Sequence, residues 1–416
     1  MTVHLISKQQ KVHLLLVLIF AFSLRLGVRL IRGEESFWGH GYEYYHTLGM
    51  RLVDGEPLCI DFNGPKCAYY PPLYPLVIAA GILIYDGYQP IVFFQSLIGT
   101  GTVLCVFLVA TEWFSSKVAL LASFFASIYP YYVWHDTSLQ DTCLFVFLTT
   151  LSVWLISRSN NNLSISNAGW AGIILGVATL TKVTLIPFVI IYCISVMLLR
   201  NRTIRSRLLH SSVLLTGFLV AVAPWLVRNN VLIGAPVFTS IAGRQLWVGN
   251  NHYTFKHYPE MSIDFDETDA WEHMSQEDLA SVTLLQGDEL AQQNWFQKKG
   301  LEYILDNPEV TVGRAGTKVM TAFSWKFSPY KDRLLQTVYF MSYFPILVLG
   351  IVGLIISIDD WKKYLPFFTL LAAFVAGTAV FWSHTSHRTF LDIYMMIFAA
   401  NAIVVGISKA KSAHLI

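Results

Sequence analysis

Eleven apolar runs divide this chain, at residues 12–31, 72–85, 90–112, 117–135, 139–157, 168–182, 184–199, 208–227, 334–357, 363–382 and 388–408. A helix needs roughly 20 apolar residues to cross the hydrocarbon core of a bilayer, and most of these runs are about that long. Within lipid every backbone N–H and C=O must be satisfied inside the segment, so such runs are helices. Composition points the same way. Only 13% of the 416 residues are charged and 54% are hydrophobic, whereas soluble domains carry about 25% charge. A chain this poor in charge cannot cover its surface with polar groups. The net charge of +2 is too small to argue for a nucleic-acid partner.

Lys and Arg set the expected threading. Lys8 and Lys11 precede the first run, Lys117 lies between the third and fourth, and Arg158 follows the fifth. The stretch Arg200–Arg207 follows the seventh, Lys362 and Lys363 precede the tenth, and Lys409 and Lys411 follow the last. The positive-inside rule puts all of these in the cytoplasm. They agree only if run 72–85, short and flanked by prolines, does not cross. Ten crossings with both termini cytoplasmic are then expected, in an all-α integral membrane protein of about 10–11 transmembrane helices. The first run lacks a small-residue cleavage site and reads as a retained helix. Its Arg25 and Arg29 either snorkel or face the bundle interior.

This threading gathers loop 33–89, His135–Asp141, the bend Thr181–Thr184, segment 228–333 and Ser383–Arg388 on one outer face. The chain divides into an N-terminal membrane module (1–227), an extracytoplasmic helical cap (228–333) and C-terminal membrane helices (334–416). In the cap, "SQED" marks a helix start and Asp306–Pro308 a break. Cys59 and Cys67 lie close together in the first loop and form a disulfide if that loop is extracytoplasmic. Cys105, Cys143 and Cys193 lie in apolar runs and read as core thiols.

Candidate site residues follow from that gathering. His40, Glu43 and His46 fall at i, i+3, i+6 and share a helix face, where they could serve a general base or a metal. Asp141 sits at a helix start, which either reflects the helix dipole or marks a site. Lys182 stands where two apolar runs meet, costly for a cation unless it pairs with phosphate or snorkels. Arg388, with His384 and His387, suits an anion clamp, or pairs with Asp392 at i+4. Asn250 and Asn251 could bond backbone or sugar hydroxyls. Walker A and Rossmann glycine patterns are missing.

In order, "GYEYYHTLGMRLVDGEP", "YYPPLYPLVIAA", "SLQDTCLFVFL", "GIILGVATLTKVTLIP", "PWLVRNNVLIGAPVFTSIAGRQLWVGNN" and "HRTFLDIY" with "FAA" resemble a GT-C membrane glycosyltransferase. The branch they look like is that of the bacterial protein O-mannosyltransferases and aminoarabinose transferases. The resemblance implies a sugar carried on a polyprenyl phosphate and moved, on the periplasmic or extracytoplasmic face of the cell's inner membrane, to a glycan, glycolipid or protein acceptor. The first acidic position of the pattern falls on His40, followed by Gly41. Glu43 is its nearest replacement, with Glu34 and Glu35 also in reach. The second acidic position falls on Asp141, and the basic residues near the lipid phosphate fall on Lys182 and Arg388, with His387 beside them. Tyr44 and Asn250 are expected at the sugar or acceptor. The cofactor expected, if any, is a divalent metal: magnesium, manganese or zinc. A lipid-linked-sugar transporter or polysaccharide polymerase is the rival reading, and a non-catalytic relative, suggested by His40, is another.

Overall fold

The computed structural model describes residues 7–38, 42–62, 64–199, 202–259, 263–327, 331–382 and 384–413. Helix α1 (Lys8–Arg32) opens with a capping box between Ser7 and Gln10. The outer loop carries α2 (Glu35–Trp38), α3 (Glu43–Val53) and a two-stranded antiparallel ribbon of β1 (Ile60–Asp61) and β2 (Pro65–Lys66). A disulfide joins Cys59 to Cys67 at the open end of that ribbon. Membrane helices follow: α4 (Leu73–Ile84), α5 (Gln89–Trp113), α6 (Ser116–Ile128), α7 (Pro130–Asp136), α8 (Thr142–Asn162), α9 (Ile165–Thr179), α10 (Ile186–Leu199) and α11 (Ile204–Ile233). The cap holds α12 (Ala242–Gly249), α13 (Ile263–Glu272), α14 (Gln276–Leu284), α15 (Glu289–Asp306) and α16 (Pro308–Ala322), and α17 (Arg333–Ile356), α18 (Leu365–Val380) and α19 (Thr389–Ala413) complete the bundle.

The chain is a multi-pass, all-α membrane protein. Among the described residues seven helices are long and apolar enough to cross a bilayer, and four apolar helices are shorter, at Leu73–Ile84, Ser116–Ile128, Ile165–Thr179 and Val183–Leu199. Helix α4 has 12 residues, about 18 Å at 1.5 Å per residue, too short for a core of about 30 Å. Helices α6 and α7 are one apolar run broken at Tyr129. That residue precedes a proline, is pushed out of helical geometry to ψ 114°, and lets Pro130 start the next helix. Helix α11 runs on to Ile233, so the cap begins slightly later than position 228. Ser275 caps α14 through Asp278 N, and Asn307 separates α15 from α16, as the sequence signals imply.

Polarity is inverted along α1. Leu15, Leu16, Ile19 and Phe20 are exposed, while Arg25 and Arg29 are buried. Arg25 Nε lies 2.7 Å from Asp136 Oδ2, and Arg29 donates to Thr137 O at 2.8 Å. Both therefore face the bundle interior rather than snorkel. Helices α9 and α11 approach backbone to backbone: a Cβ at Gly172 would lie 2.0 Å from Leu214 O, and one at Gly217 would lie 2.4 Å from Gly169 O. Gly172 and Gly176 make a GxxxG spacing, the pattern that lets membrane helices close together.

Candidate functional site

Helix α3 buries Tyr45, Leu48 and Gly49 on one face, an i, i+3, i+4 stripe. That register aims Tyr45 inward, and its hydroxyl donates to Asp141 Oδ2 at 2.8 Å. Burial first, and then the Asp141 charge, push the Tyr45 phenol well above its usual range, so it stays a donor. Asp141 is the N-cap residue of α8, yet its side chain caps no backbone N–H. Its second oxygen lies 2.9 Å from Lys182 Nζ. Lys182 also donates to Thr142 Oγ1 at 3.1 Å and stands 5.7 Å from the Phe145 ring centroid. The carboxylate serves a tertiary junction of the first loop, the start of α8 and the bend after α9.

Lys182 is about one-quarter exposed and Asp141 about one-tenth, so the pair is reachable from the loop side. Tyrosines line that side. Tyr44 stacks on Tyr70 at 4.2 Å between centroids and touches Tyr45 at 4.4 Å, and Tyr45 meets Tyr74 edge-on at 4.8 Å. Burial raises the Tyr44 phenol as well.

The other expected residues separate. Glu43 is exposed, about 200° around α3 from Tyr45. His46 is half-buried against Trp38 at 4.4 Å, and burial lowers its pKa. His40 lies outside the described residues. Of the expected His40–Glu43–His46 face, the two described members stand one turn apart on α3, one an exposed acid and the other a packed ring.

Of the two expectations for Arg388, anion clamp or partner of Asp392, the structure displays the ion pair. It is buried, with Nε 3.1 Å from Asp392 Oδ1. It donates to Ala322 O at 2.8 Å and to Tyr339 OH at 2.7 Å, and lies 3.6 Å over the Tyr343 ring. A phosphate would have to displace Asp392 in a place closed to solvent. His387 is exposed and packs edgewise near Trp382 and His384. Asn250, expected at the sugar or acceptor, is bonded within the fold. It is buried, donates to Leu246 O and Val380 O at 2.8 Å each, and accepts from Lys318 Nζ at 3.1 Å. Its amide ties α12 to α16 and α18.

Sequence reasoning missed Tyr45 and the Arg25–Asp136 pair. The α3 burial stripe was available as a signal for Tyr45. Arg25 and Asp136 are 111 residues apart, and no local pattern links them.

Residues 70–227 match the family described as dolichyl-phosphate-mannose-protein mannosyltransferase. No curated protein matches the chain. The structure of the oligosaccharyltransferase AglB from Archaeoglobus fulgidus with an inhibitory peptide and a dolichol-phosphate aligns over 98% of this chain and 52% of that one, at 14% identity and TM-score 0.57. The same archaeal enzyme in complex with Zn and sulfate aligns over 95% of this chain and 49% of that one, at 15% identity and TM-score 0.53. The chain thus spans about half the length of these structures. Its fold is similar to that of these oligosaccharyltransferase structures, and the segment matching the mannosyltransferase family contains both Asp141 and Lys182.

Proposed function

We propose that the protein moves a sugar from a polyprenyl-phosphate carrier to an acceptor hydroxyl on the extracytoplasmic face of the membrane. The observation that carries this is Asp141 held between the Tyr45 hydroxyl and the Lys182 ammonium at the mouth of the bundle. Glycosyl transfer from phosphate needs a base for the incoming hydroxyl and a cation for the departing phosphate, and both stand here within one ion pair.

In the resting protein the two charges neutralise each other. A donor phosphate offers Lys182 a second anion, and Asp141 Oδ1 becomes free to accept a proton. The acceptor oxygen then attacks the anomeric carbon, and the bond from that carbon to the phosphate oxygen breaks. The hydroxyl proton passes to Asp141, and the leaving phosphate keeps the electron pair and rests on Lys182. A single displacement of this kind inverts the anomeric centre. Tyr45 positions Asp141 throughout, and Tyr44 forms a wall beside it.

A divalent metal does not fit the described donors at Asp141. Among the described residues the group of three able to hold a metal is Asp269 and Glu272 on α13 with His273 just after it, away from Asp141 in the sequence and its contacts. There Asp269 is bonded by Lys256 at 3.0 Å and His257 at 2.5 Å. No step is routed through a metal.

The outer-face placement is supported by the disulfide between Cys59 and Cys67, a bond that persists outside the cytoplasm. It lies in the same loop as Tyr45. The bound dolichol-phosphate of AglB supports the lipid-phosphate donor. The test is transfer of radiolabelled mannose, glucose or galactose from polyprenyl phosphate in membranes containing the protein. Asp141→Asn is expected to slow transfer by about 10²–10⁴-fold. Wild-type rates in both Asp141→Asn and Lys182→Met would remove the proposal.

A further inference from the structure

Gln95 stands in the second turn of α5 and is 1% exposed. A polar side chain buried in a membrane helix is expensive unless its groups are satisfied, and every group of this amide is in use. Nε2 donates to Ser138 O at 2.8 Å and lies 3.4 Å from Asp136 O. Oε1 accepts from the Tyr74 hydroxyl at 3.2 Å. The two carbonyls belong to the last residue of α7 and to the turn after it, where a helix leaves its C=O groups without intrahelical partners. Arg29 bonds the carbonyl between them, Thr137 O, at 2.8 Å. Three successive carbonyls are thus bonded by side chains from α1 and α5.

This turn presents the carboxylate of the candidate site, because Asp141 follows Ser138 by three residues. Both ends of the Gln95 amide lead to it. One end holds Ser138 O directly. The other holds the Tyr74 hydroxyl, which interacts with the Gln140 backbone and with the Asp141 charge. Within the turn, His135 Nδ1 bonds Gln140 Oε1. Beyond it, Tyr45 bonds Asp141 Oδ2. Lys182 stands on another element, the bend after α9, and the three contacts of the Gln95 amide go elsewhere.

Proton transfer to Asp141 depends on where its oxygens sit, and a misplacement of about 1 Å can cost on the order of 10²-fold in rate. We infer that Gln95 is a positioning residue for Asp141: it fixes, through Ser138 O and the Tyr74 hydroxyl, the turn that carries the carboxylate. The inference rests on the transfer reaction proposed above.

Steady-state transfer by the purified full-length protein, with the radiolabelled polyprenyl-phosphate sugars already named, tests it through Gln95→Met. Methionine keeps the length of the side chain and removes the amide. The kcat should fall by about 10–10²-fold, while the donor KM moves less than threefold. In an Asp141→Asn background the same change should slow transfer by less than about twofold more, since residues that act as a unit are not additive. Gln95→Asn, whose amide stops one methylene short of Ser138 O, gives the same measurement if Gln95→Met does not fold. The inference falls if the folded variant transfers at the wild-type rate, or if it raises the donor KM and spares kcat. It falls equally if the slowing is the same in both backgrounds, the result that a general loosening of the bundle gives. Wild-type rates in Asp141→Asn alone mark a different failure, that of the transfer reading itself, and remove this inference with it.

Discussion

Replacing Arg388 by Met separates a structural cation from a phosphate-binding one. The guanidinium makes three directed contacts, to Asp392, Ala322 O and Tyr339 OH, and covers the Tyr343 ring. Met fills much of the space and makes none of the bonds. Asp392, 1% exposed, would keep only the Tyr129 hydroxyl at 3.1 Å. Breaking a buried pair on one side costs about 3–5 kcal/mol, because a charge is left uncompensated. At about 1.4 kcal/mol per tenfold, this lowers the folding equilibrium constant by roughly 10²-fold to several thousand-fold. Removing both charges, as in Arg388→Met with Asp392→Leu, should recover most of that loss, since an apolar replacement of a buried pair is often neutral. Reversible unfolding in mixed detergent measures all three variants. The donor KM of whatever folded protein remains should move less than threefold. A wild-type unfolding curve for Arg388→Met together with a large rise in donor KM would refute the ion-pair assignment and restore the phosphate role.

Lys182→Met should raise the donor KM and lower kcat by about 10²–10³-fold, as loss of a preorganised charge does, measured by steady-state transfer. Gly172→Leu should destabilise strongly or block folding, because its side chain would start 2.0 Å from Leu214 O, and the yield of folded protein in size-exclusion chromatography reports it. Lys318 in α16 has its pKa lowered from 10.5 to about 8 by burial and then by Arg314. The unfolded chain thus binds more protons between those values, and stability should rise with pH across that window by on the order of 3 kcal/mol. Thermal unfolding from pH 7.5 to 10.5 checks this against Lys318→Met, which should flatten the dependence.

The helical ladder was legible because apolar run length is a direct measure of bilayer thickness. Pro308 marked a break, since a proline restricts the residue before it, whereas Pro130 lay unread inside run 117–135 and splits it into α6 and α7. Asp141, Lys182 and the Cys59–Cys67 pair stood out as polar groups in expensive or crowded places. Partner choice was less visible. Arg388 had a local acid at Asp392 and a functional alternative, and only Tyr339 and Ala322, brought in by α16 and α17, decide between them. Glu43 carried the chemistry expected of a base, yet the turn that buries Tyr45 points Glu43 to the opposite side. Asn250 read as a loop amide until Lys318 arrived from 68 residues away.

The close contact of α9 with α11 reaches beyond folding. Lys182 follows α9 by three residues, about 15 Å along the chain's rise from Gly172, and so inherits the stiffness of two backbones in contact. The cation is mounted on the frame, whereas the tyrosine wall is mounted on a loop, so a change that loosens the frame displaces the cation while one confined to the loop leaves it in place.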